Sequence, residues 1–344
     1  MRYAIVGAGA IGAYVGASLA RAGAEVVLIA RGAQLRAFRV SGVRVLSDRG
    51  DFAVAPACTD TCSDVTPVDV VILALKAHQI AGMLGEIRHL LRDDTTIISM
   101  QNGVPWWYFQ QHGGPLEGTS LRAVDPDGVI ARAFDPARVV GCAVYCSTEM
   151  VEPGLVRHIE GTRFSLGQPD GRTSTRLERI ARDLSNGGLK APIVDAIRTE
   201  IWTKLLGNMC FNPLSALTRA TLAELATDEF SVPIVRSMME EALAVAKRLG
   251  VEVEVSIEKR IDGARRVGEH KTSTLQDIEA GRPLEVDCII GAVVELGELL
   301  GVDVSATAQV YRLTKLLDRT VQKRSTRADF APSRPNEMPR VAVG

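Results

Sequence analysis

The chain has no run of eighteen consecutive apolar residues, so nothing in it reads as a membrane-spanning helix. It has no long basic run either, and its formal net charge is -1. Partnership with nucleic acid or with an anionic membrane surface is therefore not expected. Cysteine is sparse, with six in 344 residues, too few for a disulfide scaffold and in keeping with a reducing, cytoplasmic setting. Two pairs, Cys58/Cys62 and Cys142/Cys146, sit four residues apart. No second Cys or His pair accompanies them, and no metal site is expected. Internal repeats and low-complexity blocks are absent. What remains is ordinary for a soluble globular protein, 46% hydrophobic and 24% charged, with length enough for two domains of roughly 100–200 residues each.

The opening segment to Ala22 imitates a signal peptide, but Gly7, Gly9, Gly12 and Gly16 interrupt it and suit a strand, a turn and a helix better. Tyr3 to Val6 reads as the strand, Gly7-Ala-Gly-Ala-Ile-Gly12 as the turn, and Ala13 to Ala22 as the helix, closed by Gly23. A second strand follows from Glu25 to Ala30. In that context the spaced glycines form a dinucleotide-binding fingerprint. Gly7 makes the turn, Gly9 lets the backbone approach a pyrophosphate, and Gly12 lets helix and strand pack closely. Ala10, Ile11 and Gly12 lie where the chain enters the helix, whose free N–H groups and dipole favour the diphosphate. The second strand ends Ile29-Ala30-Arg31, without the carboxylate that would hold a ribose 2′-hydroxyl. Arg31 is instead placed to bind a 2′-phosphate, so NADPH/NADP+ is the expected cofactor, preferred over NADH by roughly ten- to a hundred-fold. A solvated turn arginine is the competing reading.

Val40 to Val54 looks like paired short strands. The apolar run Val68 to Leu75 is typical of a central parallel strand and ends at Lys76-Ala-His-Gln79. Thr95 to Met100 is another, ending at Gln101-Asn-Gly103. Ligands of open α/β sheets lie beyond the carboxyl ends of the strands, which places Lys76, Gln79 and Asn102 near the cofactor. His78 is read as a helix-start residue without chemistry, and Asn102 could equally be a turn asparagine before Gly103. The cluster Pro105-Trp-Trp-Tyr-Phe109 suits core or subunit interface better than a substrate cage. Short strand signals follow at Val139 to Tyr145 and Gly154 to Ile159, then a helix at Arg176 to Leu184 and a last strand-like piece at Ala191 to Val194.

Near Asp195 the pattern changes from strands to successive helices. The expected architecture is α/β: a Rossmann-type dinucleotide-binding domain over 1–195, then an all-α helical-bundle domain over 196–323. The polar, proline-bearing 324–344 is expected to be a disordered tail. The helix containing Glu200 to Thr218 carries Lys204, Asn208 and Asn212 at four-residue spacing, hence on one face, with Pro213 expected to kink or stop it. A lysine snorkelling from a core helix is the bland alternative.

Within the helical half lies His270-Lys-Thr-Ser-Thr-Leu-Gln-Asp-Ile-Glu-Ala-Gly-Arg-Pro-Leu-Glu-Val-Asp287. With Gly7-x-Gly-x-x-Gly12, Arg31, Leu75-Lys-Ala-His-Gln79, Gln101-Asn-Gly103 and the Trp202/Lys204/Asn208/Asn212 helix, it resembles the ketopantoate reductase (2-dehydropantoate 2-reductase) family, in the right order from Met1 to about Arg319. The resemblance implies NADPH-dependent reduction of 2-dehydropantoate to D-pantoate, a step toward pantothenate and coenzyme A. By the same resemblance Lys204 is the general acid that protonates the ketone oxygen. Glu285 accepts from the substrate hydroxyl and helps position the lysine, and Asn208, Asn212 and Ser273 surround the substrate. Asn102 bridges cofactor and substrate, while Arg31 and Lys76 are NADPH-binding cations. An ammonium paired with Glu285 would stay protonated at neutral pH, and Ser273 with the asparagines offers donors to a substrate carboxylate. For Glu285 taken alone, a carboxylate on a helix dipole is the competing reading. The segment Pro105 to Pro169 is longer than in compact members, leaving open a reshaped pocket or an interface. Two other functions compete: the same chemistry on a different branched or bulky 2-oxo acid, and a non-catalytic NADPH-binding sensor. A homodimer is the default assembly.

Overall fold

The computed structural model describes residues 1–329. Its first half alternates strand and helix: β1 (Arg2–Val6), α1 (Ala10–Arg21), β2 (Glu25–Ile29), α2 (Gly32–Ser41), β3 (Val43–Leu46), β4 (Phe52–Val54), β5 (Ala57–Thr59), β6 (Val70–Leu73), α3 (Ile80–Ile87) and β7 (Thr96–Ser99). Then come α4 (Val129–Ala133), β8 (Val139–Glu152), β9 (Leu155–Gly167) and α5 (Thr175–Asn186). All nine strands join one sheet in the order β4-β3-β9-β8-β7-β6-β1-β2-β5. From β5 through β2, β1, β6 and β7 to β8 every neighbouring pair is parallel, which is the doubly wound dinucleotide-binding order.

Alternation along β1 explains how the sheet is covered. Tyr3 and Ile5 pack with α1 and α5 on one face, while Ala4 and Val6 pack with Ile80, Met83 and Ile87 of α3 on the other. Successive strand side chains point to opposite faces, so a sheet wrapped on both sides needs a continuous apolar run. Beyond its parallel contact with β7, β8 forms a long antiparallel ribbon with β9, interrupted by register shifts between Tyr145 and Ser147, between Ser147 and Thr148, and between Met150 and Glu152. Such irregularities bend a ribbon, and this one turns over α1. The paired strands β3 and β4 dock on the far edge of β9, not beside β2. After β9 the only sheet-like contacts among the described residues are isolated bridges from Arg163 to Lys190 and from Leu166 to Ile193.

The second half is helical: α6 (Ile197–Thr218), α7 (Leu222–Thr227), α8 (Ser231–Arg248), α9 (Ile257–Val267), α10 (Ser273–Glu279), α11 (Ala292–Leu300) and α12 (Ser305–Asp329). Pro213 does not end α6, contrary to the sequence expectation; the helix runs on to Thr218 with Phe211–Ala216 buried. Burial of that turn in the helical core offsets the one backbone donor that proline removes. The last helix stays helical to Asp329, so the first six residues of the segment expected to be disordered belong to α12, and 330–344 lie outside the described residues.

The aromatic cluster is core. Trp106, Trp107, Tyr108 and Phe109 are all buried, Trp202 of α6 donates to the Tyr108 hydroxyl at 2.7 Å, and a Cβ on Gly141 would come within 2.4 Å of the Trp107 ring. The two halves also meet at the loop after β7. A π turn at Asp287–Gly291 precedes α11, and its Cys288 carbonyl accepts from the Val104 N–H at 2.8 Å. Gly103 lies directly on that carbonyl, with φ +81° and a would-be Cβ only 2.2 Å from the Cys288 oxygen. We expect Gly103→Ala to destabilise the fold by about 2 kcal/mol or more in urea denaturation, since strain and a backbone clash add. Gly113, with φ +72° and nothing within 4 Å, is the control. A loss at Gly103 no larger than that of Gly113→Ala would show that this joint is not tight.

Candidate active site

The glycine turn after β1 is shaped by what its glycines touch. A Cβ at Gly7 (φ +96°) would lie 2.8 Å from the Leu75 nitrogen, and one at Gly12 would lie 2.2 Å from the Gly7 carbonyl. Gly9 instead faces open space, with nothing within 4 Å of its would-be Cβ. Gly9 is the N-cap of α1, no side chain caps the helix, and its first-turn residues are Ala10, Ile11 and Gly12. The first backbone bond back to the cap comes from Ala13, to the Gly9 carbonyl at 2.8 Å. An uncapped twelve-residue helix opening onto free space suits a diphosphate.

Arg31 follows β2 as the exposed N-cap of α2, and its Nη2 reaches the Met83 sulfur at 2.9 Å. Lys76, at the end of β6, points into the helical half: its ammonium donates to Asp277 Oδ2 at 2.5 Å and to the Pro283 carbonyl at 2.9 Å. In this arrangement Lys76 is ion-paired with Asp277, which also takes Arg282 Nε at 2.9 Å. Gln79 is exposed, and its side-chain oxygen accepts from the Lys76 N–H at 3.1 Å. It thus caps the short turn that opens toward α3.

Lys204 projects from α6 to the end of β7, where its ammonium donates to Asn102 Oδ1 at 2.6 Å. Asn102 in turn lies beside Glu285 and favours its charged form, and the Glu285 carboxylate accepts from the Ala77 N–H at 3.2 Å. The expected lysine–glutamate pairing is therefore indirect, with the Asn102 amide between the two charges. Burial dominates the titration of both groups. It pulls Lys204 down to about 8, opposed by Cys142 and Glu285 and reinforced by Arg260. It raises the Glu285 carboxyl, opposed by the Ala77 N–H and Lys76. A proton donor that titrates close to working pH is efficient in general acid catalysis.

Of the other expected substrate residues, Asn208 is half-buried and Asn212 buried on the same side of α6 as Lys204. Ser273 is exposed in the first turn of α10, a helix packed on α6. Sequence reasoning missed the residues that place these groups. Gln101 ties the ends of two strands together, donating to the Leu73 and Leu75 carbonyls at 2.8 and 3.2 Å and accepting from Ser99 at 2.6 Å. Its position two residues past a buried Ser99 was the available signal. Cys288 acts through its carbonyl, for which residue type gives no clue.

The strand-end amide, the half-buried lysine and the carboxylate meet where the dinucleotide-type sheet joins the helical bundle, and the glycine turn packs against Leu75, just before Lys76, the layout of a pyridine-nucleotide oxidoreductase. The chain belongs to the ketopantoate reductase family: the family described as ketopantoate reductase PanE/ApbA matches residues 3–171, and its C-terminal counterpart matches 196–318. A curated 2-dehydropantoate 2-reductase of Mesorhizobium japonicum is 49% identical over 302 residues, covering 87% of this chain and 92% of that one. The crystal structure of a Ralstonia solanacearum MolK2 protein assigned to the ketopantoate reductases superposes with TM-score 0.88 at 39% identity, covering 93% and 98% of the two chains. A D-mandelate dehydrogenase solved with NADH and anilino(oxo)acetate shares the fold at 23% identity and TM-score 0.80, covering 93% and 99%.

The Lys204 ammonium is expected to titrate with a midpoint of about 8, followed by 13C NMR of ε-carbon-labelled lysine. Its folded value lies below the roughly 10.4 of an unfolded lysine. Between those values the unfolded chain holds the extra proton, so this residue contributes stability that grows as pH rises through the window. Lys204→Met should flatten that rise in denaturant midpoints measured from about pH 7.5 to 10.5. Parallel curves for the two proteins would show that the ammonium is not desolvated.

Proposed function

We propose that this protein is an NADPH-dependent 2-dehydropantoate 2-reductase that forms D-pantoate on the route to pantothenate and coenzyme A, acting in the cytoplasm as a homodimer. The observation that carries this reading is the Lys204 ammonium held on Asn102 Oδ1 at the end of β7, with the Glu285 carboxylate beside that amide. Named relatives with the same activity across nearly the whole chain support it. Six free thiols, four of them buried, fit a reducing compartment.

The bound nicotinamide supplies the hydride that reduces the ketone carbon. Lys204 presents its proton to the ketone oxygen as negative charge builds there, in a half-dry setting where a charge-assisted donor is strongest. Asn102 holds the ammonium by its oxygen, with Glu285 beside the amide, fixing the lysine's position without neutralising it. Glu285, anchored on the Ala77 N–H, is left an oxygen that can accept from the substrate hydroxyl. Asn208 and Asn212 extend the polar stripe along α6 for the rest of the substrate. The uncapped start of α1 would hold the diphosphate, and Arg31, with no carboxylate following β2, would hold the ribose 2′-phosphate. Lys76, which spends two of its three donors on Asp277 and the Pro283 carbonyl, keeps one for the cofactor.

Steady-state NADPH oxidation with a panel of 2-oxo acids tests this directly. 2-Dehydropantoate should be the fast substrate; rapid turnover of another acid with none of this one would move the activity to that acid, and no turnover at all would end the reductase reading. Lys204→Ala is expected to lower kcat by roughly a hundred-fold or more, and a near-wild-type rate would remove its role as acid. Arg31→Ala should weaken NADPH by roughly ten-fold or more while leaving NADH little changed; equal losses would remove the phosphate contact.

A further inference from the structure

Arg260 of α9 holds a half-buried guanidinium for which the described residues supply no carboxylate. Its hydrogen bond runs from Nη2 to the backbone carbonyl of Lys204 at 3.2 Å. Arg198, also half-buried, is a useful contrast. It spends Nε, Nη1 and Nη2 on the carbonyls of Tyr108, Pro169 and Gln110 at 2.8, 2.6 and 2.9 Å. Among the described residues, Arg260 has no acceptor for Nε or Nη1. Besides the Lys204 ammonium, its titratable neighbours are the Tyr145 phenol and the Cys210 thiol, both neutral at physiological pH because burial raises them further. A partly desolvated cation without an anion is costly to keep, which points to an anion brought by a ligand.

Its placement identifies that anion. Lys204, Gly207 and Asn208 share one face of α6 at three- and four-residue spacing. The Nε–Nη2 edge of the guanidinium abuts Gly207, where a Cβ would be 2.5 Å from Nη2, 2.7 Å from Nε and 2.9 Å from Cζ. Glycine is a poor helix former, and here its missing side chain is what admits Arg260 beside the lysine. In a 2-oxo acid the carboxylate and the ketone occupy adjacent carbons, so the group that receives the carboxylate must lie close to the one that protonates the ketone. Lys76 is engaged by Asp277, whereas Arg260 is near enough to act on the charge of Lys204.

We propose that Arg260 is the carboxylate receptor of the substrate, binding it through the Nη1–Nη2 edge of the guanidinium, where Nη2 keeps a second proton, while Lys204 faces the ketone oxygen. The planar fork suits two parallel bonds to a carboxylate. Bound acid also screens Lys204 from the arginine, so the carboxylate helps the ammonium keep its proton during the reaction. This role rests on reading the site as a 2-oxo acid reductase.

The test compares 2-dehydropantoate with its neutral lactone, which lacks the carboxylate. Arg260→Gln should lower kcat/KM for the acid by roughly ten- to a hundred-fold, mainly through KM, and leave the lactone and the KM for NADPH within about two-fold. Gly207→Ala should raise the KM for the acid through displacement of the guanidinium, with no fall in Tm. Equal losses for acid and lactone in Arg260→Gln would reduce the arginine to a packing residue and overturn the proposal. Calorimetric titration of 2-dehydropantoate into the NADP+-loaded protein separates this failure from failure of the reductase reading. If wild type binds the acid without turning it over, weaker binding by Arg260→Gln upholds the carboxylate site alone, and equal binding removes it. Absence of binding to wild type overturns both.

Discussion

A proton donor inside a protein has to be dry enough to be strong and still charged enough to have a proton to give. The site meets both demands by restraining Lys204 through a neutral amide, Asn102, instead of through a carboxylate. Direct contact with Glu285 would hold the ammonium firmly and make the proton harder to release. The interposed amide transmits position while leaving the lysine's titration governed by burial. Everything else about the crevice serves that arrangement, since the amide must be delivered by one half of the molecule and the ammonium by the other.

That delivery explains why the loop after β7 is built so tightly. Gln101 fastens it to the end of β6, Gly103 brings its backbone onto the Cys288 carbonyl, and Val104 closes the contact with a hydrogen bond. Asn102 lies between these anchors, so its side chain is aimed by backbone fixed on both sides. The buried aromatics that follow, from Trp106 to Phe109, then wedge the helical half against the sheet. They act as packing between the halves.

Local chemistry made much of this legible in the sequence. The glycine spacing between β1 and α1, the apolar runs of β6 and β7, and the four-residue stripe on α6 are each set by neighbours in the chain. What escaped depends on distant partners. The docking of β3 and β4 onto β9 is a pairing across a hundred residues, for which no local pattern exists. The persistence of α6 through Pro213 depends on the helices packed around it. Helix α7 does carry a local sign, the Thr221/Glu224 capping box. Arg260 looked like any surface arginine, because an absent counter-ion cannot be seen in a sequence; the glycine in mid-helix at 207 was the hint.

The π turn at Asp287–Gly291 sets a matter of phase. It holds one residue more than an α-helical turn spanning the same rise, so Glu285 enters α11 rotated relative to the face on which Asp287 meets Tyr311 and Lys315. Removing a single residue from this turn would restore regular winding and swing everything before it by about 100° and 1.5 Å. The Glu285 carboxylate would then leave the Ala77 N–H and lose Asn102, and the Cys288 carbonyl would return to its own helix. Side-chain substitution tunes the charges of this site one at a time, whereas a change of length here would undo the joint and the acid–base geometry together.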